Sequence, residues 1–367
     1  MRVLQCVSKM DCGGIETKLM NIYRNINRDL IQFDFLVQSD GIGFYDEEIY
    51  KLGGRIYHVT PRKKSILKNK RDIRNFFREH TEYEVVHAHL PSLSNIEVLI
   101  AAKMANIKTI IAHSRNSSGP RGLHHYLLHR FNRLRINRYV THKFAISDIA
   151  GYWLFGKNSK FTILKNSLDA EKYVFNADVR ARMRKNLAVE NKFVIGHIGR
   201  FHTQKNHTFL IDVFSDIYKN NKEAVLLLIG EGSLMTKIKD KVNSLGLENR
   251  VHFLGVRSDV PDLLQAMDVF LFPSLYEGFG NVLVEAQAAG LACITSDQVP
   301  ASTGVTDLIE YVSLSEPASV WANRVLAYQN GYIRRNTLNE VRAAGFDNDG
   351  NIKWLERFYL EQSNREY

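Results

Sequence analysis

The stretch "DVFLFPSLYEGFGNVLVEAQAAGLACITS", Asp268 to Ser296, decides how this chain is read. An apolar run of strand length, "DVFLFP", leads into a glycine-punctuated loop. A helical pattern starts near Gly280 or Asn281, and a second short apolar run, "ACITS", follows it. Loop and helix together carry Glu277 and Glu285, eight residues apart. On one continuous helix that separation spans about 12 Å, too far for two carboxylates to work on one bond. A loop before the helix lets Glu277 fold back, so the two carboxylates need not share a task.

The same strand–helix alternation extends outward to both ends. Strands are expected at "RVLQCVS", "QFDFLVQ", "RIYHVT", "EVVHAHL", "KTIIAHS", "KFAIS" and "FTILKN", with helical patterns such as "GIETKLMNIYRNI" between them. After a polar stretch, Leu168 to Val189, the alternation resumes with "FVIGHIG", "AVLLLIG" and "VHFLG". Alternation of this kind builds a parallel sheet with helices on both faces. A length of 367 residues suits two domains better than one. The expected fold class is therefore α/β, with two doubly wound Rossmann-like domains. The boundaries read as 1–168 and 169–349, with a C-terminal helix over 350–367 packing back on the first domain.

Composition narrows the function. A hydrophobic content of 45% and a charged content of 24% are those of a globular protein in water. No apolar run approaches the roughly 18 residues that cross a bilayer, and the N-terminus lacks a signal-peptide core. Cys6, Cys12 and Cys293 show neither metal-site spacing nor a disulfide framework, so a reducing cytosol is expected. The formal charge of +10 points to an anionic partner: nucleic acid, membrane surface or a phosphorylated small molecule. The excess lies in the first half. "PRKKSILKNKRDIR" (Pro61 to Arg74) has seven basic residues against Asp72, and Arg115 to Lys143 has seven Lys/Arg and no acid. No nucleic-acid module accompanies them.

In doubly wound sheets ligands bind beyond the carboxyl ends of the strands. Gly13 and Gly14 follow the first strand and precede a helix, where free amides favour an anion; an ordinary turn accounts for them equally well. The G-x-G-x-x-G dinucleotide fingerprint is absent, which argues against a nicotinamide or flavin enzyme. Arg200 and Lys205 in "GRFHTQKN" follow the first strand of the second half, a suitable place for a diphosphate. A solvated loop would explain two such cations in isolation. If they and the amides of Gly280, Asn281 and Val282 hold a diphosphate, Glu277 and Glu285 are repelled by it and instead accept hydrogen bonds from sugar hydroxyls. Such a set describes a nucleotide sugar. His87 and His89 in "VHAHLP" also follow a strand; at alternate positions they are expected to face opposite ways, so that at most one would reach a cleft. No His/Asp/Glu set has metal spacing, and "DNDG" (Asp347 to Gly350) lacks the other ligands of a calcium loop and reads as a turn and helix start.

With these motifs in order ("GGIET", "EVVHAHLPSLS", "IIAHS", "ILKNSLD", "GRFHTQKN", "IGEG", "VHFLG" and then E-x7-E), the chain resembles the glycosyltransferase family 4 enzymes of the GT-B fold. Its opening further resembles the CapH/EpsF-type branch, tied to bacterial capsule and exopolysaccharide assembly. The resemblance implies a metal-independent, retaining hexosyltransferase with no cofactor beyond its cosubstrate, a nucleotide sugar, with UDP-sugar expected. The implied catalytic set is Glu277, His113, Arg200 and Lys205. Donor binding would fall to Gly13, Gly14, Arg200, Lys205, Glu231 of "IGEG", Val256, Glu277, Gly278, Phe279, Gly280, Asn281, Val282 and Glu285. Within that set Glu277 meets the sugar hydroxyls, Glu285 the ribose, and Val256 cradles the base through its backbone. Domain closure would bring Gly14 and His113 onto the donor. "LKNSLD" replaces the commoner P-N-G-x-D, so the contacts of Lys165 and Ser167 depart from the pattern. Implied partners are a glycan or lipid-diphosphate-linked acceptor, and the location is cytoplasmic at the inner membrane face. "HHYLLHRFNRLRINRYV" mixes apolar and basic residues as an interfacial helix does. A non-catalytic nucleotide-sugar-binding subunit, a transferase acting on protein or teichoic acid, and a sugar-nucleotide epimerase of the same fold are the rival readings.

Overall fold

A computed structural model describes residues 1–11, 13–116, 122–166, 168–346 and 348–363. Cys12, Ser167, Asp347 and the residues 117–121 of the second basic stretch lie outside the described residues, as do 364–367. The chain divides into two units, one of Met1–Leu168 with Asp347–Tyr367 and one of Asp169–Phe346.

In the first unit, the strands are β1 (Arg2–Val7), β2 (Gln32–Val37), β3 (Ile56–His58), β4 (Val85–Leu90), β5 (Thr109–Ser114), β6 (His142–Ala145) and β7 (Thr162–Ile163). They pair in parallel in the order β3-β2-β1-β4-β5-β6-β7. The apolar runs dictate this, because a strand covered on both faces must be apolar on both. Neighbouring residues on one strand therefore enter different core layers. Val86, Ile110 and Ala112 pack with Ile73, Phe77 and Leu99, whereas Val85 and Ile111 pack with Leu19, Tyr23 and Phe33. The C-terminal helix, Asn348–Gln362, completes the second layer through Ile352, Leu355 and Tyr359. Its Trp354 and Phe358 rings lie 5.6 and 5.1 Å from that of Phe144. Strand order reverses between β1 and β4, so the crevice of this unit opens at their carboxyl ends.

The second unit repeats the plan with β8 (Phe193–Ile198), β9 (Ala224–Ile229), β10 (Val251–Gly255), β11 (Val269–Phe272), β12 (Ala292–Ser296) and β13 (Ile309–Val312). Their parallel order is β10-β9-β8-β11-β12-β13, and the reversal lies between β8 and β11. β13 is absent from the sequence expectation. Its four residues, "IEYV", are mostly half-buried at the sheet edge, too short and too mixed for a period to show. The opening stretch folds as expected into β11, loop, helix Asn281–Ala288 and β12.

Candidate functional site

The β8/β11 switch point gathers the charged residues of the second unit. β8 ends at Ile198, and the segment after it makes a single helical turn, Thr203–Lys205, before helix His207–Asn220. Asn206 joins the two in the left-handed conformation, φ 55°, which asparagine tolerates better than most residues. That turn aims Lys205 across to the segment after β11. Lys205 Nζ lies 2.7 Å from Glu277 Oε1, and the two side chains are 16% and 8% exposed. The ammonium also sits over the Phe272 ring, 4.4 Å from its centroid. Gln204, which the sequence reading passed over, holds the other carboxylate oxygen: its Nε2 donates to Glu277 Oε2 at 3.2 Å and to the Tyr276 carbonyl at 2.9 Å. The Leu275 N–H returns a bond to the Gln204 carbonyl at 2.8 Å, so the two segments are tied along their length. Only the neighbourhood of Lys205 in "TQKN" could have pointed to Gln204.

The sequence argument set cations against phosphate and carboxylates against hydroxyls. The structure corrects this for Lys205, which is bound directly to Glu277. Opposite charges withdrawn from water at one strand terminus pair because either alone is costly to bury. An ammonium has three N–H donors, so Lys205 can hold Glu277 and still meet an anion.

Beside this pair the helix Asn281–Ala288 begins at Gly280, whose φ of 91° and ψ of 48° favour glycine. The N-cap Gly280 has no side chain to cap this end, and the first turn, with Asn281 and Val282, carries the positive end of the helix dipole. Phe279 has a different task. It is buried and its ring packs 5.3 Å from that of Phe346, so only its backbone is available to a ligand. Gly278 and Glu285 are half-buried, Arg200 is exposed on the segment after β8, and Glu231 and Val256 are exposed after β9 and β10. The loops after β8 and β9 touch. A Cβ on Gly232, φ 158°, would stand 2.5 Å from the Phe201 carbonyl oxygen. Behind Lys205, His207 stacks on Phe201 at 4.1 Å, and burial, with Lys205 adding to it, pushes its pKa down to about 4. His197, whose Nδ1 lies 2.9 Å from the Leu271 carbonyl oxygen, is held well below its usual range by burial.

In the first unit Gly13 caps helix Gly14–Asn25 without a side-chain bond, and a Cβ on Gly14 would meet nothing within 4 Å. His113 lies inside β5, as the strand reading of "KTIIAHS" placed it, and is fully buried. His87 and His89 correct another expectation. Alternate residues on a strand share a face, and the two rings stack at 4.5 Å, with His113 5.1 Å from His87. The three imidazoles lie close enough to hold a metal ion. Five of their six ring nitrogens are hydrogen-bonded, however, and the sixth, His113 Nε2, is buried with no partner. The bonds run from His87 to Tyr359 (2.6 Å) and His113 (2.9 Å), and from His89 to Gln5 (2.8 Å) and Arg115 (3.0 Å). A cation here would displace those bonds beside a buried guanidinium. Burial, and then the charge of Arg115, holds all three pKa values well below the usual range. Burial also lowers Arg115, to about 10. Gln5, Arg115 and Tyr359 carry no sequence signal for this role, because they meet only through the sheet and the C-terminal helix.

Comparison with known proteins fixes the family. The family model described as glycosyl transferases group 1 matches residues 178–310. The EpsF protein of Bacillus subtilis, a glycosyltransferase by name, is 34% identical over the whole chain and 98% of its own length. This chain belongs to the group 1 glycosyltransferases. A UDP-Gal:α-D-GlcNAc-diphosphoundecaprenol α-1,3-galactosyltransferase of Escherichia coli is 27% identical over 64% of the chain and 63% of its own length. The capsular polysaccharide biosynthesis glycosyltransferase CapH of Staphylococcus aureus is 26% identical over 81% of each. The crystal structure of Anabaena HepE in complex with UDP-glucose superposes with a TM-score of 0.79 at 20% identity, covering 98% of this chain and 100% of that one. The two parallel-sheet units have the GT-B fold. Among the described residues, no helix is long and apolar enough to cross a membrane.

Proposed function

We propose that this transferase is a retaining, metal-independent family 4 enzyme that moves a hexose or N-acetylhexosamine from a UDP-sugar to a lipid-diphosphate-linked glycan in capsule or exopolysaccharide synthesis. The observation that carries this reading is the buried Lys205–Glu277 pair beside the start of the helix at Gly280. Arg200, Lys205 and the amides of Asn281 and Val282 stabilise the departing diphosphate, where negative charge grows as the glycosidic bond breaks. Glu277, fixed by Lys205 and Gln204, accepts from donor-sugar hydroxyls, and Glu285 from the ribose. The acceptor hydroxyl attacks on the face the diphosphate leaves, and a phosphate oxygen takes its proton. The printed activity of the E. coli relative and the UDP-glucose bound to HepE support this choice of donor and acceptor class. Binding and slow hydrolysis of UDP-, GDP- and ADP-sugars test it, with Glu277→Ala and Lys205→Ala beside the wild type. One UDP-sugar should bind and turn over, and both variants should lose turnover. Absence of binding by every nucleotide sugar would end the reading.

The acceptor side has its own observation. Helix Leu123–Arg135 is turned inside out. His129 and Asn132 face inward, bonded to the Leu93 N–H and carbonyl at 3.1 and 2.7 Å. Leu123, Leu127, Phe131 and Leu134 are exposed, among Arg130, Arg133 and Arg135. This basic apolar stripe suits the surface of an anionic membrane. The protein should sediment with phosphatidylglycerol vesicles at low salt and less at high salt, and Leu127→Glu should weaken that binding. Equal recovery with and without vesicles sinks the membrane assignment.

A further inference from the structure

Arg115 follows β5 in the first unit and takes no part in the proposed transfer step. It is 8% exposed, and a charge taken out of water is costly unless an opposite charge accompanies it. Arg184, equally buried in the second unit, meets that condition by pairing with Asp268 at 3.2 Å. Arg115 does not. Among the described residues no carboxylate lies within ion-pair distance of it, and Glu16, the acid whose charge acts on it, stands farther off. Its bonds go to neutral acceptors, from Nε to His89 Nδ1 at 3.0 Å and from Nη1 to Asn166 Oδ1 at 2.9 Å. A guanidinium has five N–H donors. Two are used, so three have no acceptor among the described residues, and Nη2 is not sealed from solvent. A buried cation with open donors and no acid beside it is built for an anion that arrives from outside.

The place of Arg115 says which anion. Its backbone N–H donates to the Leu90 carbonyl at the end of β4, 3.1 Å away. Leu93, a short step further along that segment, holds His129 and Asn132 and so docks the helix Leu123–Arg135, whose outer stripe is apolar and basic. We infer that Arg115 anchors a phosphate site belonging to the first unit alone, distinct from the donor site, and that it takes the diphosphate of a lipid-linked acceptor held beside this helix. The identity of the acceptor rests on the proposed transferase function; the anion site does not. A planar guanidinium matches phosphate oxygens through paired N–H bonds. His89 and Asn166 already hold it in one orientation, so little ordering is left for the ligand to impose.

Calorimetry of the full chain with its donor site filled by UDP tests this, with inorganic pyrophosphate as the probe. Pyrophosphate should bind the UDP-loaded wild type. Arg115→Met should weaken that binding about 10–150-fold, as loss of a charge-assisted bond does, with UDP affinity unchanged. Loss of both affinities together would make Arg115 a support of the fold and overturn the site. Arg115→Lys keeps the charge without the planar fork; it should lose less, and it decides the matter where Arg115→Met fails to fold. Displacement of pyrophosphate by UDP, or an affinity indifferent to both variants, also overturns the site. Neutral vesicles carrying a polyprenyl diphosphate separate a lipid headgroup from a soluble phosphate. They should retain the wild type better than the variants, and equal retention overturns the lipid assignment. Pyrophosphate bound through Arg115 in a chain that takes no UDP keeps the site and sinks the transferase reading.

Discussion

Replacing Lys205 by Met separates the two tasks assigned to that residue, holding Glu277 and meeting a diphosphate. Loss of one partner from a buried ion pair costs about 3–5 kcal/mol, because the remaining charge stays behind uncompensated. Glu277 would keep the bond from Gln204 at 3.2 Å, which offsets about 1 kcal/mol. The expected loss is about 2–4 kcal/mol, or a fall of about 4–16 °C in Tm for a unit of this size. Glu277→Gln should cost less, about 1–2 kcal/mol, since Lys205 retains an acceptor and the Phe272 ring 4.4 Å away. The double variant Lys205→Met with Glu277→Gln leaves no buried charge, so it should be more stable than the sum of the singles predicts, by about 1–2 kcal/mol. Urea titrations of the three variants and the wild type measure this coupling. Calorimetry with UDP completes the assay. Lys205→Met should weaken binding by about 10–150-fold, the worth of a charge-assisted bond of about 1.5–3 kcal/mol, whereas Glu277→Gln should bind UDP nearly as the wild type does. Losses that add to within about 0.5 kcal/mol would refute the reasoning, because independent sites add in that way. So would equal weakening of UDP binding by both single variants.

Two further outcomes follow from the second unit. His207 titrates at about 4 in the fold, by burial and then Lys205, and at about 6.5 when unfolded. Its contribution is therefore complete above pH 6.5 and is lost as pH falls toward 4, about 3 kcal/mol in all; His207→Phe should flatten the decline in urea stability across that window, and an unchanged slope would dismiss His207 as its source. Gly232→Ala would place a Cβ 2.5 Å from the Phe201 carbonyl oxygen at a φ of 158°, costing about 1–3 kcal/mol in backbone strain alone, and a wild-type melting curve would show that the β8 and β9 loops need not touch there.

The alternation of apolar runs and helical patterns was enough to specify two parallel α/β sheets, because a strand covered on both faces has to be apolar throughout and a covering helix has to be amphipathic. Spacing alone also put Arg200, Lys205, Glu277 and Glu285 after strands, where such sheets bind ligands. What the sequence could not carry was contact. Lys205 meets Glu277 only because β8 and β11 are neighbours at the switch point, 72 residues apart in the chain. "VHAHLP" invited a division of its two histidines between faces, when the pleat puts both on one. β13 was too short and too mixed at the sheet edge to leave a period. Gln5 and Tyr359, 354 residues apart, enter one hydrogen-bond chain with nothing local to announce it. Burial decides the rest. It holds the buried histidines neutral, and it drives most buried polar atoms to find partners, which is a property of the packed fold and of no segment within it.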